Sequence, residues 1–492
     1  MALDLESRSR EAEQLVSELD REYHLHFSGQ KPTYEVEGIY ERHAGLLGRD
    51  AIAELREAAS SAGGESARRA SFLLELAVGG HLGRECAPQE EAIAAREAEL
   101  EIEIGGERIP YRMAPVAQAN EADPARRAEI DAARLGLLEE ELNPLHLAAF
   151  ERTQVLIREL GWDSYAQAWA QLRGIDLEAL AAQTRRFVEA TDPVYERIVD
   201  PELERVLGES LAGITRTDLA RFFRAPGLDG SFSEAGLIPA LERTAAGMGL
   251  ALERQPNIRL DTEQRPTKTS RAYCAPVRVP DEVYLVVPRV GGREDYAALF
   301  HESGHALHYA NVDAALPAEY RYLGDNSVTE SFAFLIEHVT EDEGWISQVL
   351  GASADGVPAH ARAVKLMFLR RYAAKIAYEL ELHGADPDLA AMPGRYAELM
   401  QGALGLEWTP VSWLSDVDDA FYVAGYLRAW ALETRWRASL CERVGERWFT
   451  EPEAGEWLRG LWRQGQRLRA DELLAEVLGV ELDFAVLAAE FA

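Results

Sequence analysis

Asp295-Tyr-Ala-Ala-Leu-Phe-His-Glu-Ser-Gly-His-Ala-Leu-His-Tyr-Ala310 is the stretch on which the reading of this 492-residue chain turns. Tyr296, Leu299, Phe300 and Leu307 recur at helical spacing and give the segment apolar faces. Residues four apart on a helix stand one turn apart on the same face. His301 and His305 can therefore aim both imidazoles at one metal ion, and Glu302 beside them can reach a water at that ion. Two nitrogen ligands, one open coordination position and one general base are the arrangement of a zinc peptidase. With 11 His and 84 acidic residues in the chain, roughly 0.04 accidental matches to such a motif are expected, so it is suggestive and its surroundings must support it.

Upstream, Asp281-Glu-Val-Tyr-Leu-Val-Val-Pro288 reads as a strand in which Val283, Leu285 and Val287 alternate with Tyr284 and Val286. Pro288 limits it to an edge or a strand end, and Gly291-Gly292 then breaks the chain before the helix. A histidine helix behind an edge strand would let an extended peptide pair with main chain close to the metal.

A catalytic zinc needs a third protein ligand. Downstream, Asn326-Ser-Val-Thr-Glu-Ser-Phe-Ala-Phe-Leu-Ile-Glu-His338 is a second helix, with Val328, Phe332, Leu335 and Ile336 apolar and Asn326 or Ser327 able to cap it. It offers Glu330 as the ligand and, seven residues on and on the same face, Glu337 to anchor a ligand histidine. His308 and His338 lie nearby at spacings that do not complete a ligand set and read as packing or supporting residues; the other histidines have no partner pattern.

His301-Glu-Ser-Gly-His-Ala-Leu-His308, followed by Glu330 29 residues after His301, resembles the thimet oligopeptidase and oligoendopeptidase F family, zinc peptidases whose third ligand is a glutamate. Ser270-Arg-Ala-Tyr-Cys-Ala-Pro276, Phe368-Leu-Arg-Arg-Tyr through Glu-Leu-His383, and Phe421-Tyr-Val-Ala-Gly-Tyr426 resemble three further segments of that family in the same order. The likeness covers about the last 230 residues. It implies a mainly helical, two-lobed ellipsoid with a deep substrate channel, a small β-sheet beside the zinc helix, and one zinc ion on the channel floor held by His301, His305 and Glu330. It also implies hydrolysis of internal bonds in short peptides, with Glu302 as base and a tyrosine, Tyr426 or Tyr422, hydrogen-bonding the reacting carbonyl. One departure stands out. Many relatives carry a histidine shortly before the Phe-Tyr-Val segment, whereas this chain has no histidine after His383 and has Asp416 near that position. An ionised carboxylate only accepts hydrogen bonds, so the carbonyl must rely on tyrosine or on another donor.

Two other activities remain open on the same residues. A carboxypeptidase or dipeptidyl carboxypeptidase would need a cation for the substrate's C-terminal carboxylate, with Arg271, Arg289, Arg370 and Arg371 as candidates. A non-catalytic peptide-binding relative finds its only support in the missing histidine, and the intact Glu302 argues against it.

Composition points the same way. Net charge is −33, which opposes binding to nucleic acid or to anionic membranes; short peptides are the partners that the resemblance implies. Cys86, Cys274 and Cys441 form neither a disulfide framework nor a cysteine zinc pattern, which suits a reducing, cytoplasmic setting. The first residues lack the apolar run of a secretory signal, and no stretch of 18 apolar residues would span a membrane. Residues 1–100 read as amphipathic helices, Glu101–Ile109 as a hairpin with a Gly-Gly turn, and about 125–255 as helices bounded at Pro144, Pro201 and Pro226. The metal core is expected over about 257–345 and long helices beyond it. We place an amino-terminal helical lobe at 1–200 and a catalytic lobe at 201–492, within one continuous peptidase fold.

Overall fold

The computed structural model describes residues 4–61, 63–288 and 290–492. It is mainly helical, with two small sheets, as the periodicity predicts. None of the described helices is long and apolar enough to cross a membrane. The chain divides into two compact units, each assembled from separate stretches: Met1–His81 with Leu228–Pro358 and Gly425–Val486, and Leu82–Gly227 with Ala359–Ala424 and Leu487–Ala492.

The second of these units contains the predicted hairpin. Strands β1 (Glu101–Ile104) and β2 (Glu107–Pro110) pair antiparallel, with Ile104 opposite Glu107. Gly105 and Gly106 both have positive φ, which a two-residue turn of this hand requires. Ile102, Ile104 and Ile109 bury their side chains with Ile130. Pro144 lies in the first turn of the Asn143–Glu159 helix, and Pro226 follows the end of Leu219–Arg224, so both mark boundaries. Pro201 does not: it lies inside the Tyr195–Leu207 helix. An interior proline sacrifices a helical hydrogen bond, yet Tyr195, Val199 and Leu203, four apart and all buried, carry the helix past it.

The first unit contains the three-stranded sheet, in the order β3–β5–β4. β3 is Ile258–Asp261, β4 is Tyr273–Arg278 and β5 is Glu282–Val286. β5 runs parallel to β3 and antiparallel to β4. The sequence reading that allowed the 281–288 strand to be an edge is corrected: β5 is central, and Pro288 lies beyond its end. The edge beside the histidine motif is β4, whose Tyr273, Ala275 and Val277 are buried on one face.

Gly291 and Gly292, both with positive φ, lead into the histidine helix, Arg293–Ala310. Carboxylates gather at its start: the first helical amide, Arg293 N–H, donates to Asp229 (2.9 Å), and Gly291 N–H, just before the cap, donates to Asp295 (2.8 Å), the charge that a helix start favours. The glutamate helix, Asn326–His338, packs directly on the histidine helix. Its N-cap is Asp325, one residue before those expected; the carboxylate accepts from Ser327 N–H (3.0 Å) and also pairs with Arg428 at 2.5 Å. That second bond explains the choice, because Asp325 and Arg428 are both buried and each satisfies the other's charge.

Gly304 sets how closely the two helices approach. A Cβ there would lie 2.6 Å from Ala333 Cα and 2.7 Å from the Phe332 carbonyl oxygen. Around this contact Phe300 meets Trp345 and Phe332 meets Trp462 edge-on. Alanine is about 1 kcal/mol better than glycine inside a helix, whereas overpacking a core costs about 1–3 kcal/mol. The atoms in the way are backbone and cannot rotate aside, so the second effect should win. Gly304→Ala should lose about 1–2 kcal/mol of stability, read from the urea midpoint. A variant as stable as the parent would show that this spacing is not fixed by Gly304.

Candidate active site

The close packing of the histidine and glutamate helices brings three ligand types together. His301 Nε2 lies 3.3 Å and His305 Nε2 3.6 Å from the same oxygen, Oε2 of Glu330. One ligand atom from each of the three residues falls within 4.8 Å of the others. Nitrogen and oxygen ligands placed tetrahedrally about 2.0–2.1 Å from one ion stand about 3.3 Å apart, so the spacing suits a metal. Glu330 is buried, at 4% exposure, and both imidazoles are half-buried.

The outer edge of each imidazole is also occupied. His301 Nδ1 lies 2.9 Å from Glu337 Oε2, and His305 Nδ1 lies 2.9 Å from Thr329 Oγ1. A carboxylate can only accept, so His301 carries a proton on Nδ1 and turns its Nε2 inward, toward Glu330. Thr329 can accept from His305 and pass its own hydroxyl proton to His308 Nδ1, 3.1 Å away. His308 is fully buried, and burial lowers its pKa to about 3, so it is a neutral acceptor. The electrostatics favour a cation. Burial works against charge on His301, yet Glu330 and Glu337 outweigh it and hold that pKa well above the usual imidazole value. Burial likewise opposes ionisation of Glu330, and the two histidines overcome it, holding its carboxyl well below the usual range. The donor set and its field therefore fit a divalent metal ion.

Glu302 is fixed from the sheet. Its Oε2 accepts a hydrogen bond from the Cys274 N–H of edge strand β4, at 2.9 Å. The general-base candidate is thus oriented by main chain, with its other oxygen available for a proton. Sequence reasoning took Ser270–Pro276 only as a family likeness and missed that Tyr273–Arg278 is a strand. The alternation of Tyr273, Ala275 and Val277 was the available signal. Thr329 was missed too, as an ordinary residue within an apolar helix.

Tyr426 belongs to the first unit, on the Tyr422–Val444 helix. That helix is fastened to the glutamate helix by Arg428–Asp325 and by Trp436 Nε1–H donating to Ser331 Oγ at 3.1 Å. The Tyr426 ring is 5.7 Å from Phe334, whose ring is 5.1 Å from His301. Tyr426 is therefore one aromatic ring removed from a ligand candidate. Tyr422 is assigned to the second unit.

In the second unit, Asp416 is engaged on both oxygens. Oδ1 pairs with Arg371 at 2.5 Å and Oδ2 accepts from the Tyr396 hydroxyl at 2.6 Å. Burial opposes its charge, but Arg371 and Lys375 outweigh that and keep its carboxyl low. It is an ionised acceptor and cannot replace a donor histidine. Of the arginines considered for a substrate carboxylate, Arg370 is buried against the Ala403 and Val188 carbonyls and Asp192. Arg371 is held by Asp416, Arg271 is exposed, and Arg289 lies outside the described residues.

No family model and no curated protein matches the chain. Among solved structures it is similar to the crystal structure described as that of "a putative oligoendopeptidase F from Bacillus anthracis str. Ames", at 15% sequence identity and a TM-score of 0.61. The match covers 96% of this chain and 83% of that one. At that identity the likeness speaks for architecture, and over nearly its whole length this chain has the fold of that oligoendopeptidase F structure.

Proposed function

We propose that the chain is a zinc-dependent endopeptidase of short peptides. The observation that carries this reading is the convergence of His301, His305 and Glu330, with Glu302 held beside them by the Cys274 amide. The fold it shares with a protein described as an oligoendopeptidase supports it. A zinc ion held by those three residues would supply Lewis acidity and make water a competent nucleophile at neutral pH.

The chain's own residues do the remainder. Glu337 and Thr329 accept the outer N–H groups of His301 and His305 and so orient the inner nitrogens toward the place where the ion would sit. Glu302, steered by the Cys274 amide, accepts a proton from the attacking water and passes it to the leaving amine. A phenol, Tyr426 or Tyr422, donates a hydrogen bond to the carbonyl oxygen as that oxygen gains negative charge.

Three outcomes test this. Glu302→Gln should retain metal and lose nearly all turnover; substantial residual activity removes Glu302 as the base. Glu330→Ala should lose its metal on dialysis, and full zinc occupancy by elemental analysis would exclude Glu330 as a ligand. Tyr426→Phe should lower kcat by about 10²–10³ with metal content unchanged if Tyr426 is the carbonyl donor, and an unaffected kcat transfers that role to Tyr422. Product masses from a mixed peptide pool fix the mode. Internal cuts made only by the parent protein support an endopeptidase, whereas single residues or dipeptides lost from the C-terminus would make it a carboxypeptidase.

A further inference from the structure

Three aromatic rings of the first unit adjoin the ligand cluster. On the Tyr422–Val444 helix, Leu427, Ala429, Ala431 and Leu432 are fully buried, whereas Tyr426 and Trp430, one turn apart on one face, are half-buried. On the glutamate helix, Phe332 goes into the core. Phe334, two residues on and so on the opposite side of the helix, is half-buried. The rings meet. Trp430 stacks on Phe334 at 5.0 Å with an interplanar angle of 20°, and Tyr426 lies 5.7 Å from Phe334 and 6.1 Å from Trp430. Phe334 in turn touches the His301 ring edge-on at 5.1 Å. The rings therefore form one wall, and the wall begins at a ligand candidate.

Core packing does not account for this wall. The core aromatics of the same two helices are Phe332 and Trp436, at 1% and 0% exposure, and Trp436 also satisfies its indole N–H on Ser331. Phe334, Tyr426 and Trp430 instead keep part of their surface accessible. Their rim is polar: His301, and Glu337 at 2.9 Å from its Nδ1. An accessible apolar surface with a polar rim, beside convergent polar groups, is the make-up of a ligand site.

The chemistry of the wall selects its occupant. A peptide whose carbonyl lies at the ion carries its neighbouring residues within about 3.8 Å between Cα atoms, so a side chain next to that bond comes within reach of Phe334. Rings gain from stacked or edge-on partners beyond the area they bury. A carboxylate there would meet the negative ring faces, and Glu337, which could have drawn a cation, is already engaged by His301. We infer that Phe334 and Trp430, with the ring of Tyr426, select an aromatic or large apolar side chain next to the cleaved bond. The inference rests on the peptidase reading above and adds the substrate class.

The test uses zinc-loaded protein and octapeptides of one sequence in which each position in turn is phenylalanine, alanine, lysine or glutamate. Product masses assign the residue adjoining the cut. With phenylalanine there, the parent should exceed its rate with alanine by about tenfold in kcat/KM. Trp430→Ala and Phe334→Leu should each bring that ratio to within about threefold of one while leaving the alanine peptide within about twofold of the parent. Phe334→Leu keeps apolar bulk against His301, and its zinc content by elemental analysis checks that the ligands are undisturbed. Equal losses on both peptides, with the ratio intact, would make the rings structural supports and overturn the inference. So would a parent that prefers lysine or glutamate to phenylalanine. Binding of the same labelled peptides to zinc-loaded Glu302→Gln, with and without Trp430→Ala, reads the preference without turnover. If the parent cleaves none of them, the peptidase reading fails. Tighter binding of a phenylalanine peptide that Trp430→Ala abolishes would then still support the wall, and equal binding of phenylalanine and alanine peptides would overturn it.

Discussion

The contact between Gly304 and the Ala333 backbone is the constraint from which the rest of the site follows. The ligand candidates come from two helices, and their atoms converge only if the helices nearly touch. A side chain at position 304 would hold Glu330 away from His301 and His305, whose Nε2 atoms lie 3.3 and 3.6 Å from its carboxylate. The same closeness lets Thr329 and Glu337 reach the outer nitrogens of both rings. Orientation of the imidazoles and convergence of the ligand set are thus two results of one packing distance.

The buried pair Asp325–Arg428 extends that frame. Asp325 starts the glutamate helix and Arg428 lies two residues after Tyr426, so a single ion pair relates the cap of one helix to the tyrosine of another. Breaking such a pair would expose an uncompensated buried charge on either side, at about 3–5 kcal/mol. The position of Tyr426 is therefore tied to the ligand-bearing helix through charge as well as through the stacked rings of Phe334 and Trp430.

Much of this was legible in the sequence, for identifiable reasons. The histidine and glutamate helices have strong periodicity, and a helix fixes by itself the geometry of residues four apart, so His301 and His305 could be paired without tertiary information. The hairpin announced itself through Gly105-Gly106. β4 was hidden because Pro276 and Pro280 punctuate the segment and suggest a loop, although its alternation is intact. Asp325 was passed over as a cap because its reason for being chosen, Arg428, is about a hundred residues away.

The bond from Cys274 to Glu302 has a consequence for how this position can vary. The donor is a peptide amide, a group that nineteen of the twenty residue types possess in the same place. Orientation of the general-base candidate is thus insulated from the identity of the side chain at 274, and only proline, which has no N–H, would cancel it. Whatever else a new side chain at 274 does, it reaches Glu302 through this contact only if it removes the amide itself.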